Sequence, residues 1–528
     1  MKSKTNRRSF LKGAGALLGG LTFTTTTVSA TEAENRYIVD MQETAEADLD
    51  GLDVVHDLSQ IDLVVVEGDE EAVRGLRYSK DVEMQFEVDE EYDEDDDDDD
   101  EDDDEEKEDE DDDEEEEDED DDEEEEDEDD DEEGESGKPT RAQLQWDKQS
   151  QEIYEVFEET TGEGTRVAVL DSGVIPDHPD LKNALNTDLS RNFTGDGGDY
   201  TPWYNDHGTH VAGIIAADGS NTDGVVGTAP GTELVALRVF TGPFAFFGDI
   251  VAAMTHAGDI EADVANMSLG TYPMPDNEEN QLLRDSIERA TDHAASQGTL
   301  MVAAAGNNGT NLDTDGDVLS LPNEADNVMS VSATGPIGYR WDAASSEEDA
   351  EDDEDDDEEP FENLRKPTTT PASYTNYGRE AIDVSASGGN SATNPPSDAN
   401  WQYDMILSTT LTWDEDDNMV PDYGWKSGTS MAAPQVSAAA ALVKSVNPEA
   451  TPGQIRRHLE ATAEDVGQRS YSGEGHLDLE EAVEEEIEVE DEEDEEDEED
   501  EEDEEEREDE EDEEEREDEE EDDEERDD

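Results

Sequence analysis

The sequence predicts an α/β fold: an open parallel sheet with helices on both faces, preceded by a small α+β module. Three observations carry this reading. Short apolar runs such as Arg166–Leu170, Leu234–Val239, Val264–Ser268, Leu300–Ala304 and Val328–Ala333 have strand length and little alternation, as in strands buried on both faces. Helical patterns at 249–258 and 279–297 separate several of them, which gives the βαβ rhythm of a parallel sheet. Polar residues with chemical potential stand where strands end or helices begin, and open α/β sheets gather ligands at the carboxyl ends of their strands.

The chain has 528 residues and a formal net charge of −132. Part of that charge lies in low-complexity acidic runs, which cannot bury enough apolar surface to offset chain entropy. The remainder is acidic too, with about 62 acidic against 18 basic side chains over 137–483. Such self-repulsion opposes a compact state in dilute buffer. At about 1 M salt the screening length falls to roughly 3 Å and most of the penalty disappears. The expectation is a protein of very salty water. Nucleic acid is excluded as a partner, because its phosphates would be repelled. There are no cysteines, so disulfides, thiol catalysis and cysteine-ligated metals are excluded.

In chain order, 1–30 read as a signal peptide. Arg7-Arg8 stand in a twin-arginine-like stretch, a mild apolar segment follows, and Val28-Ser29-Ala30 suits a peptidase cut. This predicts a secreted, extracellular protein with no membrane anchor once processed. Residues 31–92 form the small module, with strands at Tyr37–Val39, Leu52–Val55, Ile61–Val66 and Val82–Val88 and a helix at Glu70–Arg77. An acidic linker (93–137) precedes the body (138–483). The body opens on a helix at Gln151–Glu159, carries an acidic surface insertion at 342–360, and includes a strand at Ala381–Ser385. Helices at 433–445 and 452–463 close it, and an acidic tail (484–528) reads as a solvated brush.

Four stretches carry the chemistry. Asp171 ends the first buried strand in VAVLDSGV, and His207 lies in NDHGTHVAG. Asn307 follows a strand in MVAAAGNNG, and Ser430 stands in SGTSMAAP ahead of a long apolar run. Each has a plain alternative: helix caps for Asp171 and Ser430, a core imidazole for His207, a turn former for Asn307. Together, in the order Asp, His, Ser and each within an extended motif, they resemble the subtilisin-like serine proteases (subtilases). The resemblance spans about Trp146 to Asp478 and is nearest in kind to the halophilic secreted branch called halolysins.

That resemblance implies a subtilisin-like sheet and a serine endopeptidase that cuts proteins or peptides through an acyl-enzyme. Ser430 would be the nucleophile, His207 the base, Asp171 the residue that holds its tautomer, and Asn307 an oxyanion donor. His210 would serve packing. Ser268, Leu269 and Gly270, with Ala304 and Gly306, would border the substrate, which binds by strand addition. Structural Ca²⁺ is implied at Asp180 with the loop GSNTDGVVG, through the Asn221 side chain and the carbonyls of Asp223 and Val225, with Gln143 as an N-terminal candidate. No organic cofactor is implied. The 31–92 module resembles an inhibitory propeptide, a partner of the enzyme's own making, and the enzyme is expected to be a monomer.

Overall fold

The alternation of apolar residues in the N-terminal module gives it two buried faces. In the computed structural model, which describes residues 31–85 except 43, 45–48 and 50, then 90–92, 139–485 except 278–279, 317, 338–367, 391–400 and 415–417, and 487, this module supplies five strands. They are β1 (Thr31–Asp40), β2 (Asp53–Leu58), β3 (Leu63–Glu67), β4 (Tyr78–Gln85) and β5 (Glu90–Tyr92). Tyr37, Val39, Val64 and Val66 face a small core of their own. Ile38, Leu63 and Val65, one step along each strand, join the main core instead. The helix expected at Glu70–Arg77 stops at Val73, ahead of Gly75, whose φ of +103° a side chain would resist. The expected signal segment, acidic linker and acidic insertion lie outside the described residues, as does all but the first part of the tail.

After short helices at Trp146–Gln149 and Ile153–Glu159, the second of them two residues late against the expected Gln151–Glu159, the sheet of the body begins with β6 (Arg166–Asp171) and β7 (Arg191–Asn192). Helix α1 (His207–Ala216) leads to β8 (Glu233–Arg238), β9 (Phe240–Thr241) and β10 (Phe244–Phe246). Then come α2 (Phe247–Asp259), β11 (Val264–Met267), β12 (Thr271–Pro275), α3 (Gln281–Ser296) and β13 (Leu300–Ala304). Next are β14 (Val318–Leu321), β15 (Val328–Thr334), β16 (Val384–Ser387) and the hairpin β17 (Ile406–Trp413) and β18 (Met419–Ser427). Then follow α4 (Thr429–Val446), α5 (Pro452–Ala461) and β19 (Gly475–His476), with a last short helix at Leu479–Glu484.

Eight of these strands form one parallel sheet in the order β19-β16-β15-β13-β11-β6-β8-β7. The chain leaves β6 toward β8 on one side and returns to β11 on the other. The end of β6 is therefore the switch point of the sheet, where a crevice opens. Helices α1 and α4 pack together against one face, while α2 and α3 pack against the other. From Thr429 to Val443 every residue of α4 is buried, and its run of alanines lets the helix lie close to the sheet. This helix starts four residues before the sequence pattern suggested, so Ser430 lies inside its first turn. The strand expected at Ala381–Ser385 begins three residues late, at Val384.

The module is fastened to the body by strands and by buried charge. β4 extends onto β10, with Gln85 opposite Phe244, and β5 extends onto β18, with Glu90 opposite Ser427. Arg36 reaches Asp81 at 2.6 Å and also pairs with Asp249, whose Oδ1 lies 2.7 Å from His56 Nε2. Asp81 and Asp249 are fully buried. A second group joins Asp40 to Arg77 at 2.7 Å and to Arg289 at 3.1 Å. The buried pairs of Arg36 with Asp81 and Asp249 are screened far less by salt than exposed ones.

Candidate active site

The carboxylate at the end of β6 faces the first residue of α1. Asp171 is fully buried, and its Oδ1 and Oδ2 lie 2.9 and 3.0 Å from His207 Nδ1. The backbone N–H of Ser172 donates to Asp171 Oδ1 at 2.6 Å, and Ser172 Oγ accepts from Gly208 N at 3.0 Å. These contacts lock strand end and helix start together. Gly208 must be glycine here: a Cβ would lie 2.5 Å from Gly173 O and 3.0 Å from Asp171. His210, three residues on, turns away toward the carbonyls of Ile406 and Gly424 at 3.0 and 3.2 Å. Burial, then the nearby Lys426 and His207 charges, hold it well below the ordinary imidazole range, so it stays neutral and structural.

Ser430 opens α4 from the other side. Pro434 stands four residues later and has no N–H to give the Ser430 carbonyl, which the helix would otherwise have used. Ser268 Oγ supplies the missing donor at 2.8 Å. Asn266 Nδ2 donates to that hydroxyl at 2.9 Å, and Ser437 Oγ donates to Asn266 Oδ1 at 2.9 Å. Ser268, 2% exposed, thus pins the helix turn that carries Ser430. Ser430 Oγ lies 3.4 Å from Ser268 O. Leu269 is buried beside it, and Ala304 ends β13.

Asn307 follows β13 and meets the same turn. Its Oδ1 accepts from Thr429 N and Thr429 Oγ1, both at 2.9 Å, while Gly306 N donates to Thr429 Oγ1 at 3.1 Å. With the carbonyl end of the amide held by Thr429, the Nδ2 end is the part suited to a developing negative charge near Ser430. Replacing Asn307 by alanine is expected to lower kcat by about 10²–10³ with little change in KM; steady-state kinetics on a chromogenic peptide check this.

The residues of the calcium reading also converge. Asp180 is fully buried; its Oδ2 accepts from Val225 N at 3.0 Å and from Tyr423 Oη at 2.9 Å. Asn221 Nδ2 meets Tyr423 Oη at 2.7 Å, and Arg141 Nε donates to Asp223 O at 2.9 Å. Asp180 Oδ1 is buried and has no hydrogen-bond partner among the described residues, and a carboxylate oxygen of this kind suits a hard cation. Gln143 is exposed and does not join. Gln145 makes the N-terminal link instead, exchanging hydrogen bonds with Val226 N and O at 2.9 Å each. The spacing of the segment fits either glutamine, and only the turn at Thr140–Leu144 decides which one faces the loop.

Among known proteins, residues 162–478 match the subtilase family. Subtilisin BL of Lederbergia lenta is 33% identical over 61% of this chain and 91% of its own length. The halolysin of Haloferax mediterranei is 33% identical over 60% of this chain and 49% of its own. Among solved structures, a protease from Pseudoalteromonas arctica aligns over 66% of this chain and 99% of its own, with a TM-score of 0.51 and 27% identity.

Proposed function

The chain belongs to the subtilase family of serine endopeptidases, and on that premise we propose that it is a secreted enzyme of brine that cuts proteins with Asp171, His207 and Ser430. The observation that carries the catalytic part is the contact of His207 Nδ1 with both Asp171 oxygens at the switch point of the sheet. In this reading Ser430 Oγ attacks the peptide carbonyl. His207 takes the proton and returns it to the leaving amine. Asp171 keeps the proton of the neutral ring on Nδ1, so that Nε2 can serve as base. The Asn307 amide and the Ser430 N–H, at the start of α4, receive the oxyanion charge. Export is supported by the twin-arginine-like segment, and life in brine by the charge of −132.

The test is hydrolysis of casein by the full chain in about 3 M salt, with labelling of Ser430 by a fluorophosphonate. Desalting without divalent ions is expected to abolish activity as self-repulsion returns. Full activity in dilute buffer would remove the halophilic part of the proposal and leave the proteolytic part standing.

The module at 31–92 is read as an intramolecular inhibitor. Support comes from its strands β4 and β5, which pair with β10 and with β18, the strand that ends three residues before Ser430, and from Arg36 and Arg77, whose ion pairs to Asp249 and Asp285 fasten it to the body.

Calcium fits the residues present. Asp180, Asn221 and the Asp223 and Val225 carbonyls would hold it, with Asp180 Oδ1 as its main charge partner. When bound, the ion supplies cohesion to the 219–227 loop and takes no part in the chemistry. At a hundredfold excess over its dissociation constant, Ca²⁺ should stabilise the fold by about 2.7 kcal/mol. Chelation at constant molar salt should lower the midpoint of thermal inactivation accordingly, and Asp180→Asn should make that midpoint indifferent to the chelator.

A further inference from the structure

The loop that carries Asn307 is gripped from two sides. Thr429, next to Ser430, holds the side-chain carbonyl of Asn307 and the backbone of Gly306. The second grip comes from Asn376, a fully buried residue between β15 and β16. Both ends of its side-chain amide are spent on the loop. Its Nδ2 donates to Ala305 O at 2.8 Å, and its Oδ1 accepts from Asn308 N at 3.0 Å and from Thr310 N at 3.2 Å. Its backbone N–H donates to Gly306 O at 2.8 Å. These contacts fall at residues 305, 306, 308 and 310, so they straddle Asn307.

The approach is close enough to constrain the sequence. A Cβ on Gly306 would lie 2.6 Å from Asn376 Nδ2, and the φ of Gly306 is +95°. Backbone bonds run alongside: Gly309 N donates to Tyr374 O at 2.7 Å, and Tyr377 N donates to Thr310 O at 2.9 Å. Asn376 itself rests on the sheet. Thr375 Oγ1 donates to Asn376 O at 3.0 Å and accepts from Ala333 N of β15 at 3.0 Å.

We propose that Asn376 is a positioning residue for the oxyanion donor: it fixes the backbone over 305–310 that delivers the Asn307 amide to the charge developing beside Ser430. This rests on the endopeptidase reading and on Asn307 as its donor. Such a donor works because it is in place before the charge forms. A misplacement of about 1 Å can cost about 10² in rate. Thr429 sets the amide oxygen of Asn307, and Asn376 sets the course of the chain on either side of it. Without the Asn376 side chain, the N–H groups of Asn308 and Thr310 and the carbonyl of Ala305 lose these partners, and the loop has to shift to satisfy them.

The experiment is a double-mutant cycle at positions 307 and 376 in the full chain at molar salt, after incubation until casein hydrolysis reaches its maximum. kcat is taken per active site, with sites counted by fluorophosphonate labelling carried to completion, so a smaller folded fraction does not enter. Asn376→Ala should lower kcat on a chromogenic peptide by about ten- to a hundredfold with KM within about twofold. In the Asn307→Ala background the same change should alter kcat by less than about twofold, because the donor it positions is already gone. Asn376→Asp keeps the acceptor for Asn308 N and Thr310 N and loses the donor to Ala305 O. It should show a smaller loss with the same dependence on background, and it decides the matter if Asn376→Ala yields no sites that label. An unchanged kcat in Asn376→Ala, an equal loss in both backgrounds, a loss confined to KM, or failure of both variants to yield sites would make Asn376 a residue of the fold alone and overturn the inference. Those outcomes leave the endopeptidase reading intact. If Asn307→Ala kept the wild-type kcat, the oxyanion assignment would fall and this inference with it. A wild type that cuts no peptide would end the endopeptidase reading as well.

Discussion

Replacing Ser430 by alanine is expected to lower kcat on casein by about 10⁶, a magnitude that is subtilisin's own and is carried over with the family. The fold should survive, because among the described residues the hydrogen bond of Ser430 Oγ is a long one, 3.4 Å to Ser268 O, and the residue's backbone is held independently by Ser268 Oγ. Residual turnover of about 10³–10⁴ over water should remain from the oxyanion donors and binding. The variant should also lose fluorophosphonate labelling. If the 31–92 module is removed by the enzyme's own action, mass spectrometry of the variant should find it still attached. Casein hydrolysis at the wild-type rate in Ser430→Ala would end the assignment of the nucleophile.

The sheet was legible because its strands are buried on both faces, so that β6, β8, β11, β13 and β15 appear as apolar runs with few polar interruptions. Asp171 and Asn307 were legible for the same reason: each breaks or follows such a run. The hairpin β17–β18 was not foreseen. Its strands mix Ser, Thr, Asp and Lys with apolar residues, because one hairpin serves α1, Asp180 and β5 at once. Pairings between distant segments left no local trace either. β5 meets β18 across more than three hundred residues, and no periodicity within either strand announces the other.

Charge was the poorest guide to individual roles. In a sequence with 163 acidic residues, Asp81 and Asp249 look like all the rest, and only burial beside Arg36 separates them. The scarce basic residues carried more information. Arg36, Lys148, Arg238 and Lys426 are each nearly or fully buried. Lys148 reaches Thr228 Oγ1 and Gln435 Oε1 at 2.7 Å each, tying the start of the body to α4. In a protein that spends acidic residues on its surface, a basic residue in a folded stretch is a fair signal of an internal partner, since burying a charge is costly unless it is paired. The role of Pro434 was also open to the sequence. A proline four residues after the serine leaves the serine carbonyl without its helical donor, and Ser268 is the residue that answers it.

Asp171→Asn tests the geometry at the other end of the proposed triad, and its expected cost is about 10⁴ in kcat. The substitution is almost isosteric, so the packing of β6 against α1 should hold. Its effect comes from the proton. Ser172 N donates to Oδ1 at 2.6 Å, and that donor pins the amide oxygen of the new side chain in the Oδ1 place. The amide nitrogen then falls where Oδ2 was, 3.0 Å from His207 Nδ1. The ring can still reach the amide oxygen through Nδ1 at 2.9 Å, but the amide N–H now beside Nδ1 opposes a proton there and favours the tautomer that carries it on Nε2. A protonated Nε2 cannot take the Ser430 proton. The loss should lie in kcat, with KM nearly unchanged, because no substrate contact is touched. Labelling of Ser430 by the fluorophosphonate should slow in the same proportion, since that reaction needs the same base. If Asp171→Asn kept activity within about tenfold of the wild type, the buried Asp171–His207 contact would be a structural pair and the base would have to be sought elsewhere.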